Sequence, residues 1–155
     1  ATLYHFGVLS SAMHNAWLRA VCGRLESRFR YSAAIVYNNF PWPELPDDAP
    51  PGSPAQRARA AIEADAQAVL DARALFQQGP QPATLADLYD PLTMPAELRR
   101  AHQRLDAAVD AAYALSGGPR RYAGDAQRVA ELLQRYQRLT SLLPAGPVRR
   151  ARARR

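Results

Sequence analysis

Residues 30–45 read RYSAAIVYNNFPWPEL. From Tyr31 to Tyr37 apolar residues recur at every second place, and then Asn38, Asn39, Pro41 and Pro43 crowd around Phe40 and Trp42. The first half predicts a strand over 30–37, with Tyr31, Ala33, Ile35 and Tyr37 on one face and Ser32, Ala34, Val36 and Asn38 on the other. A single strand cannot bury itself. It needs a partner, either in chain upstream of Ala1 or in residues 2–8. That need, together with a start at Ala1 rather than at a methionine, leads to the expectation that the chain is a piece of a longer polypeptide.

On either side of this stretch the pattern is helical. Residues 9–26 place Leu9, Met13, Trp17, Val21 and Leu25 on one stripe, with Ala16 and Ala20 filling it, which predicts an amphipathic helix capped by Ser10 or Ser11. His14 falls beside Leu18 and Leu25, the place of a core histidine rather than a catalyst. Six of the thirteen prolines lie in residues 41–54, so this segment is an extended linker or strap. Beyond it Ser53 and Pro54 signal a helix start. That helix runs to about Phe76, with Ile62, Ala66, Val69 and Phe76 inward. Thr84 and Asp87 suit a capping box for a short turn, LADLYD, stopped by Pro91. Pro95 opens a helix through Ala114, carrying Leu98, His102, Leu105, Val109 and Ala112. A last helix spans about Asp125 to Leu143, with Val129, Leu132, Leu133, Tyr136 and Leu143 on one side. The expected fold is mainly α: an N-terminal helix with one or two short strands, a proline-rich linker and a C-terminal helical bundle. The domain reading is residues 1–43, linker 44–54, bundle 55–144 and a disordered arginine-rich tail 145–155.

The 155 residues suit one ordinary domain or a small module plus a larger one. A 48% apolar and 22% charged composition is that of a soluble globular protein. No apolar run approaches the roughly 18 residues of a membrane span, and no secretory leader is recognisable. A cytoplasmic location without membrane contact is therefore expected. The single cysteine, Cys22, cannot form an internal disulfide or a thiolate zinc set.

The net charge of +6 is local. Residues 1–40 carry four arginines against Glu26, and residues 119–155 carry ten against two acids, whereas the middle is acidic. Five of those ten arginines stand in the last seven positions. All twenty basic residues other than histidine are arginine. Their forked side chains suit phosphate and guanine, but a compositional bias of the source explains them equally well.

No phosphate-binding glycine loop and no nucleophile motif is present, and His5, His14 and His102 lack metal-ligand spacing. Asp106 and Asp110 share a helix face at i, i+4, the usual arrangement of solvated surface acids. No residues are expected to be catalytic, to bind a cofactor or to hold a metal in this chain.

Residues 5–45, HFGVLSSAMHNAWLRAVCGRLESRFRYSAAIVYNNFPWPEL, closely resemble the end of the target-recognition region of the MmeI-like enzymes, single polypeptides that combine restriction and modification. The segment ADLYDPLTMPAELRRAHQRLDAAVDAAY, residues 86–113, resembles the C-terminal helical region of the same family. YNNFPWP with LYDPLTMP downstream makes the likeness specific. It implies a bacterial parent enzyme that transfers a methyl group from S-adenosylmethionine to N6 of adenine in duplex DNA. Such chemistry needs a flipped base, held in the family by an Asn-Pro-Pro-aromatic motif. NNFPWP has the wrong order for that motif, so Asn38 and Asn39 take no catalytic role. No S-adenosylmethionine-binding or nuclease motif is present.

The resemblance thus implies a non-catalytic DNA-recognition and scaffold segment. Its expected partners are double-stranded DNA and an upstream methyltransferase domain of the same polypeptide, with the cofactor bound by that parent. Arginine and amide groups read guanine and adenine edges, and hydroxyls and backbone groups hold phosphates. The expected DNA-facing set is Ser11, Ala12, Arg19, Arg28, Arg30, Tyr31, Ser32, Asn38 and Asn39. The competing reading of the same residues makes Tyr31, Tyr37, Phe40 and Trp42 packing residues and the asparagines turn caps, with Trp42 pinning the proline strap across the helices. The alternative function is a helical protein-interaction module with a nonspecific basic tail; an independent enzyme has no residue constellation to support it.

Overall fold

The computed structural model describes residues 2–25, 28–78 and 80–141, with all their side chains except those of Arg24, Leu25 and Arg28. Leu143 and the arginine-rich tail lie outside the described residues. The order is α1 (Leu3–Ser10), α2 (Ala12–Val21), β1 (Gly23–Leu25), β2 (Arg28–Arg30), a π-helical turn (Ala33–Tyr37), α3 (Pro54–Gln77), α4 (Leu85–Leu88), α5 (Ala96–Ala114) and α6 (Asp125–Thr140). The fold is mainly helical, as the periodicity predicts.

The expected single helix over 9–26 is two helices that meet at Ser11. Its backbone is extended, its hydroxyl donates to Val8 O at 2.7 Å, and its oxygen accepts the His14 N–H. A serine that ties down both neighbouring turns competes with continuous helix and breaks it there. At the other end α2 stops at Val21. Cys22 Sγ donates to Arg30 O at 2.7 Å, closing the base of an antiparallel hairpin in which Gly23 faces Arg30, Arg24 faces Phe29 and Leu25 faces Arg28.

The strand expected over 30–37 is the principal correction. Strand geometry covers only Arg28–Arg30, and its partner is β1, not residues 2–8, which lie in α1. Residues 33–37 close a π turn whose carbonyls are satisfied from within the turn and from α2. Asn38 N–H reaches Ala33 O, Asn39 Nδ2 donates to Ala34 O and Ile35 O, and the Trp17 indole donates to Val36 O at 3.0 Å. Only Val36 of this run is buried. Alternation over so few residues is equally compatible with one wide turn, and Asn39 decides for the turn because its side-chain amide caps the Ala34 and Ile35 carbonyls.

Downstream, helix starts follow the sequence. Ser53 accepts the Gln56 N–H with Pro54 in the first turn, and Thr84 and Asp87 form the capping box of α4. The longest packing surface lies between α3 and α5. Helix α1 lies on α3, and α2 packs on α6 and touches α5. The close approach of α1 to α3 rests on Gly7, where a Cβ would stand 2.8 Å from Ile62 Cγ2. One apolar core runs from Tyr4, Val8 and Trp17 through Val36 and Phe40 to Ile62, Leu105 and Leu132.

The proline segment is a strap held at several points. Tyr113 Oη donates to Pro41 O at 2.8 Å, Arg59 grips Leu45 O and the Asp47 carboxylate, and Trp42 sits among Tyr4, His5, Tyr37 and Phe40. Two expectations on α5 and α6 need correction. Leu133 is 42% exposed, and the inward place near it belongs to Arg135, which is 2% exposed. Asp106 and Asp110 are not solvated. Asp106 accepts the Ala12 N–H at 2.7 Å, and Asp110 is buried against Arg128 at 2.7 Å. A carboxylate at the first turn of α2 meets unpaired N–H groups and the positive end of the helix dipole, which compensates part of its desolvation.

Candidate nucleic-acid interface

The surface built by α2, the hairpin and the π turn carries most of the residues expected to face DNA, and the structure sorts them. Ser11 is completely buried, with its hydroxyl engaged by Val8 and His14. The Ala12 N–H is taken by Asp106. The start of α2 therefore faces α5, with the Ala12 and His14 N–H groups already taken. At the other end of α2, Arg19 is half exposed and pairs with Asp125 at the start of α6, 2.8 Å away.

The hairpin projects Arg30 into solvent, and the backbone of Arg28 lies on the same strand; its side chain lies outside the described ones. Tyr31 is 48% exposed, with its hydroxyl 3.4 Å from His14 Nε2. Ser32 is half-buried at the entry to the π turn, where its carbonyl accepts the N–H groups of Ile35 and Val36. Asn38 is exposed. Asn39 spends both amide hydrogens on Ala34 O and Ile35 O, so its role in the fold is a cap. Arg30, Tyr31, Ser32 and Asn38 thus lie within one short segment, with Arg30 and Asn38 exposed and the Tyr31 hydroxyl shared with His14. A free arginine fork, a phenol, a hydroxyl and an amide are the groups that hold phosphates and read base edges. Among them stand Phe29, Ile35 and Tyr37, all exposed.

Phe40 is 4% exposed and Trp42 is half-buried; both belong to the aromatic packing under this surface. Beneath Tyr31 lies His14, 3% exposed, with the edge of its ring against Phe40 at 4.7 Å between centroids and no partner for Nδ1. Burial pushes its pKa down to about 4. A histidine held below its unfolded pKa of about 6.5 favours folding at neutral pH, and this contribution is lost as pH falls from about 6.5 to 4. The loss should reach at most about 3 kcal/mol. Asp106 and Asp110 are raised by desolvation, so they act in the opposite sense, favouring the folded state as pH falls toward the ordinary carboxylate range. Urea midpoints from pH 7 to pH 4.5 should therefore fall less steeply in His14→Phe than in the parent chain; parallel curves would show that His14 is not the titrating group.

Sequence reasoning misses the loop between α5 and α6. Arg120 and Arg121 are both exposed there, and the Arg19–Asp125 pair ties the end of that loop to α2. The signal is present in the basic balance of residues 119–155, which pattern alone assigns to the last helix and the tail. Among the described residues, no helix is long and apolar enough to cross a membrane, and no cluster of three or more histidine, cysteine or acidic side chains is placed to hold a metal.

Two family descriptions match the chain: "MmeI, target recognition domain" over residues 1–44 and "MmeI, C-terminal domain" over residues 53–144. The DNA methyltransferase A of Bacillus subtilis (strain 168) is 41% identical over 140 residues, which cover 90% of this chain but 14% of that protein. Among solved structures, the type IIL restriction-modification enzyme MmeI in complex with DNA matches with a TM-score of 0.74 and 46% identity. That match covers 92% of this chain and 17% of the solved one. With both segments matched in the same order, the chain belongs to the MmeI family and carries sequence of its target recognition and C-terminal domains.

Proposed function

We propose that this chain is a non-catalytic DNA-recognition and scaffold segment of an S-adenosylmethionine-dependent DNA adenine-N6 methyltransferase of restriction-modification type. The observation that carries this reading is the 46% identity, across 92% of the chain, to an enzyme solved on DNA. In this reading residues 1–43 are the end of the recognition region, 44–54 the strap and 55–144 the helical brace. Duplex DNA is the partner, the methyl donor is bound by an upstream domain of the same polypeptide, and the assembly works in the cytoplasm. Arg28, Arg30, Tyr31, Ser32 and Asn38 carry the DNA contacts, with Arg19 at their edge. Ser11, Ala12 and Asn39 are left to the fold, because their polar groups are occupied within it.

Duplex binding by the chain lacking residues 149–155 tests the reading without its basic tail. Arg30→Ala should weaken binding by about 1–3 kcal/mol on a cognate duplex if the side chain makes a bidentate base contact. It should instead lower the salt slope by about 0.9 on every sequence if the contact is a phosphate. Binding that is lost entirely with residues 149–155 would favour the protein-interaction reading, for which the exposed Phe29, Ile35 and Tyr37 offer an apolar contact surface.

A further inference from the structure

The charged side chains around the α5–α6 loop are nearly all matched. Arg19 pairs with Asp125, Arg128 with Asp110, and Arg135 with Glu131 and Glu44, while Asp106 holds the Ala12 N–H. Arg120 and Arg121 are the exceptions. Both are exposed, and among the described residues neither has an ion-pair or hydrogen-bond partner. They rim an open cleft of about 770 Å³ against α5, whose other polar lining includes Gln103 and the already matched Asp106, Asp110 and Arg128. The net charge left over in this cleft is positive.

The loop that carries them is built to a fixed shape. Gly117 turns the chain at φ 97°, and the Gly118 N–H donates to Tyr113 O at 3.1 Å. A Cβ on Gly118 would stand 2.8 Å from Tyr122 Oη and 3.0 Å from Tyr113 O, so a glycine lets the chain pass this close to the end of α5. Tyr122 is buried directly after the two arginines, with the Arg128 guanidinium 5.5 Å from its ring centroid. Arg135 holds the Ser116 hydroxyl and carbonyl on the other side. The braced backbone fixes where the two unmatched cations stand, so only their side chains are left to order when they meet an anion.

The loop is also tied to the recognition surface. Asp125, four residues beyond Arg121, pairs with Arg19 on the last turn of α2, and the hairpin leaves α2 at Cys22. Four extended residues span at most about 14 Å, which bounds the distance of Arg121 from Asp125 and keeps the two arginines on the side of the fold that α2 and the hairpin share.

We propose that Arg120 and Arg121 are a phosphate clamp contributed by the C-terminal domain, gripping the DNA backbone beside the bases that residues 28–38 face. The clamp rests on the DNA-recognition reading above and adds to it a second, sequence-independent contact. Phosphate contacts of this kind set register and affinity but carry no base preference.

The test is a salt series of duplex binding from 50 to 200 mM, on two unrelated duplexes of about two helical turns each, with the chain lacking residues 149–155. Arg120→Gln/Arg121→Gln should lower the magnitude of the salt slope by about 1.8 on both duplexes, about 0.9 for each phosphate no longer neutralised. Arg57→Gln/Arg99→Gln removes the same charge from positions whose guanidinium groups rest on Gly52 O and Met94 O, and should leave the slope unchanged. An equal drop in both double variants would reduce the effect to net charge and overturn the clamp. An unchanged slope in Arg120→Gln/Arg121→Gln, with binding still abolished in Arg28→Gln/Arg30→Gln, would overturn the clamp and leave the recognition reading standing. No duplex binding by the parent chain would overturn the recognition reading itself, and the clamp with it.

Discussion

Arg135→Ala should lower the unfolding free energy by about 3–5 kcal/mol, the usual cost of removing one partner from a buried ion pair. Arg135 is 2% exposed on α6 and reaches three parts of the structure. Its Nε donates to Glu131 at 2.7 Å, Nη1 to the Ser116 hydroxyl at 2.7 Å and Nη2 to Tyr113 O at 3.0 Å. A weaker contact reaches Glu44 on the strap at 3.3 Å, and the guanidinium carbon lies 5.1 Å from the Tyr113 ring centroid. Truncation leaves Glu131, itself largely buried, without its cation, and removes one donor from Tyr113 O, which keeps the Gly118 N–H; the unpaired carboxylate carries the desolvation cost. Arg135→Lys keeps the charge but cannot supply a planar fork to several acceptors, so it should recover only part of the stability. Urea midpoints of the three proteins at pH 7 decide the matter. If Arg135→Ala and the parent unfold within about 1 kcal/mol of each other, the buried cation is not a keystone of α6.

Trp17→Ala is the second large effect, expected at about 3–5 kcal/mol for a buried aromatic truncated to alanine. The indole is 2% exposed between Phe40 and Tyr136, with ring centroids at 6.4 and 5.9 Å. Its N–H is also the donor that holds the carbonyl of Val36 in the middle of the π turn. Trp17→Phe retains much of the ring volume and removes that donor, so it should cost about 1–3 kcal/mol, the range for a buried acceptor left unsatisfied. Far-UV circular dichroism, which does not depend on the missing fluorophore, follows both unfolding curves. The phenylalanine variant carries the more specific expectation. With Val36 released, the segment bearing Tyr31 to Asn38 loses its reference to α2, and duplex binding should fall at a protein concentration and pH where the chain is still folded. Full binding by Trp17→Phe would show that the turn keeps its shape through Asn38 and Asn39 alone.

The helices of the second half are legible because each combines an apolar period with a chemical start signal. Ser53 with Pro54, Thr84 with Asp87 and Pro95 all stand where the structure begins a helix. The first half is harder to read, for reasons that lie in long-range contacts. Ser11 looks like a cap from either side, and only the turn it ties at Val8 makes it a break. Alternation at 31–37 predicts a strand, but the carbonyls of that run are claimed by Trp17, 19 residues before Val36, and by Asn39. Asp106 and Asp110 look solvated until α2 and Arg128 are brought against them across the fold. The candidate interface is legible in Arg30 and Asn38, which stay exposed, whereas Arg19 pairs with Asp125 across the fold. Ser11, Ala12 and Asn39 pass for open groups because sequence alone does not show that a polar atom is already occupied.

The shared core has a practical consequence for exchanging recognition segments between relatives. A transplant cut at the proline strap would move Gly7, Trp17 and Phe40 away from the surfaces that fit them. Gly7 lies against Ile62 and Ala66, Trp17 against Tyr136, and the strap itself is hooked by Tyr113 and Arg59. Chimeras joined at that seam inherit two halves of a mould that were shaped together. A graft restricted to residues 23–38 crosses fewer such boundaries: it keeps α1 and α2 with their native helices and leaves Val36 as the main inward anchor to be matched. If the hairpin and its turn face DNA as proposed, they are a smaller unit of exchange than the stretch that contains them.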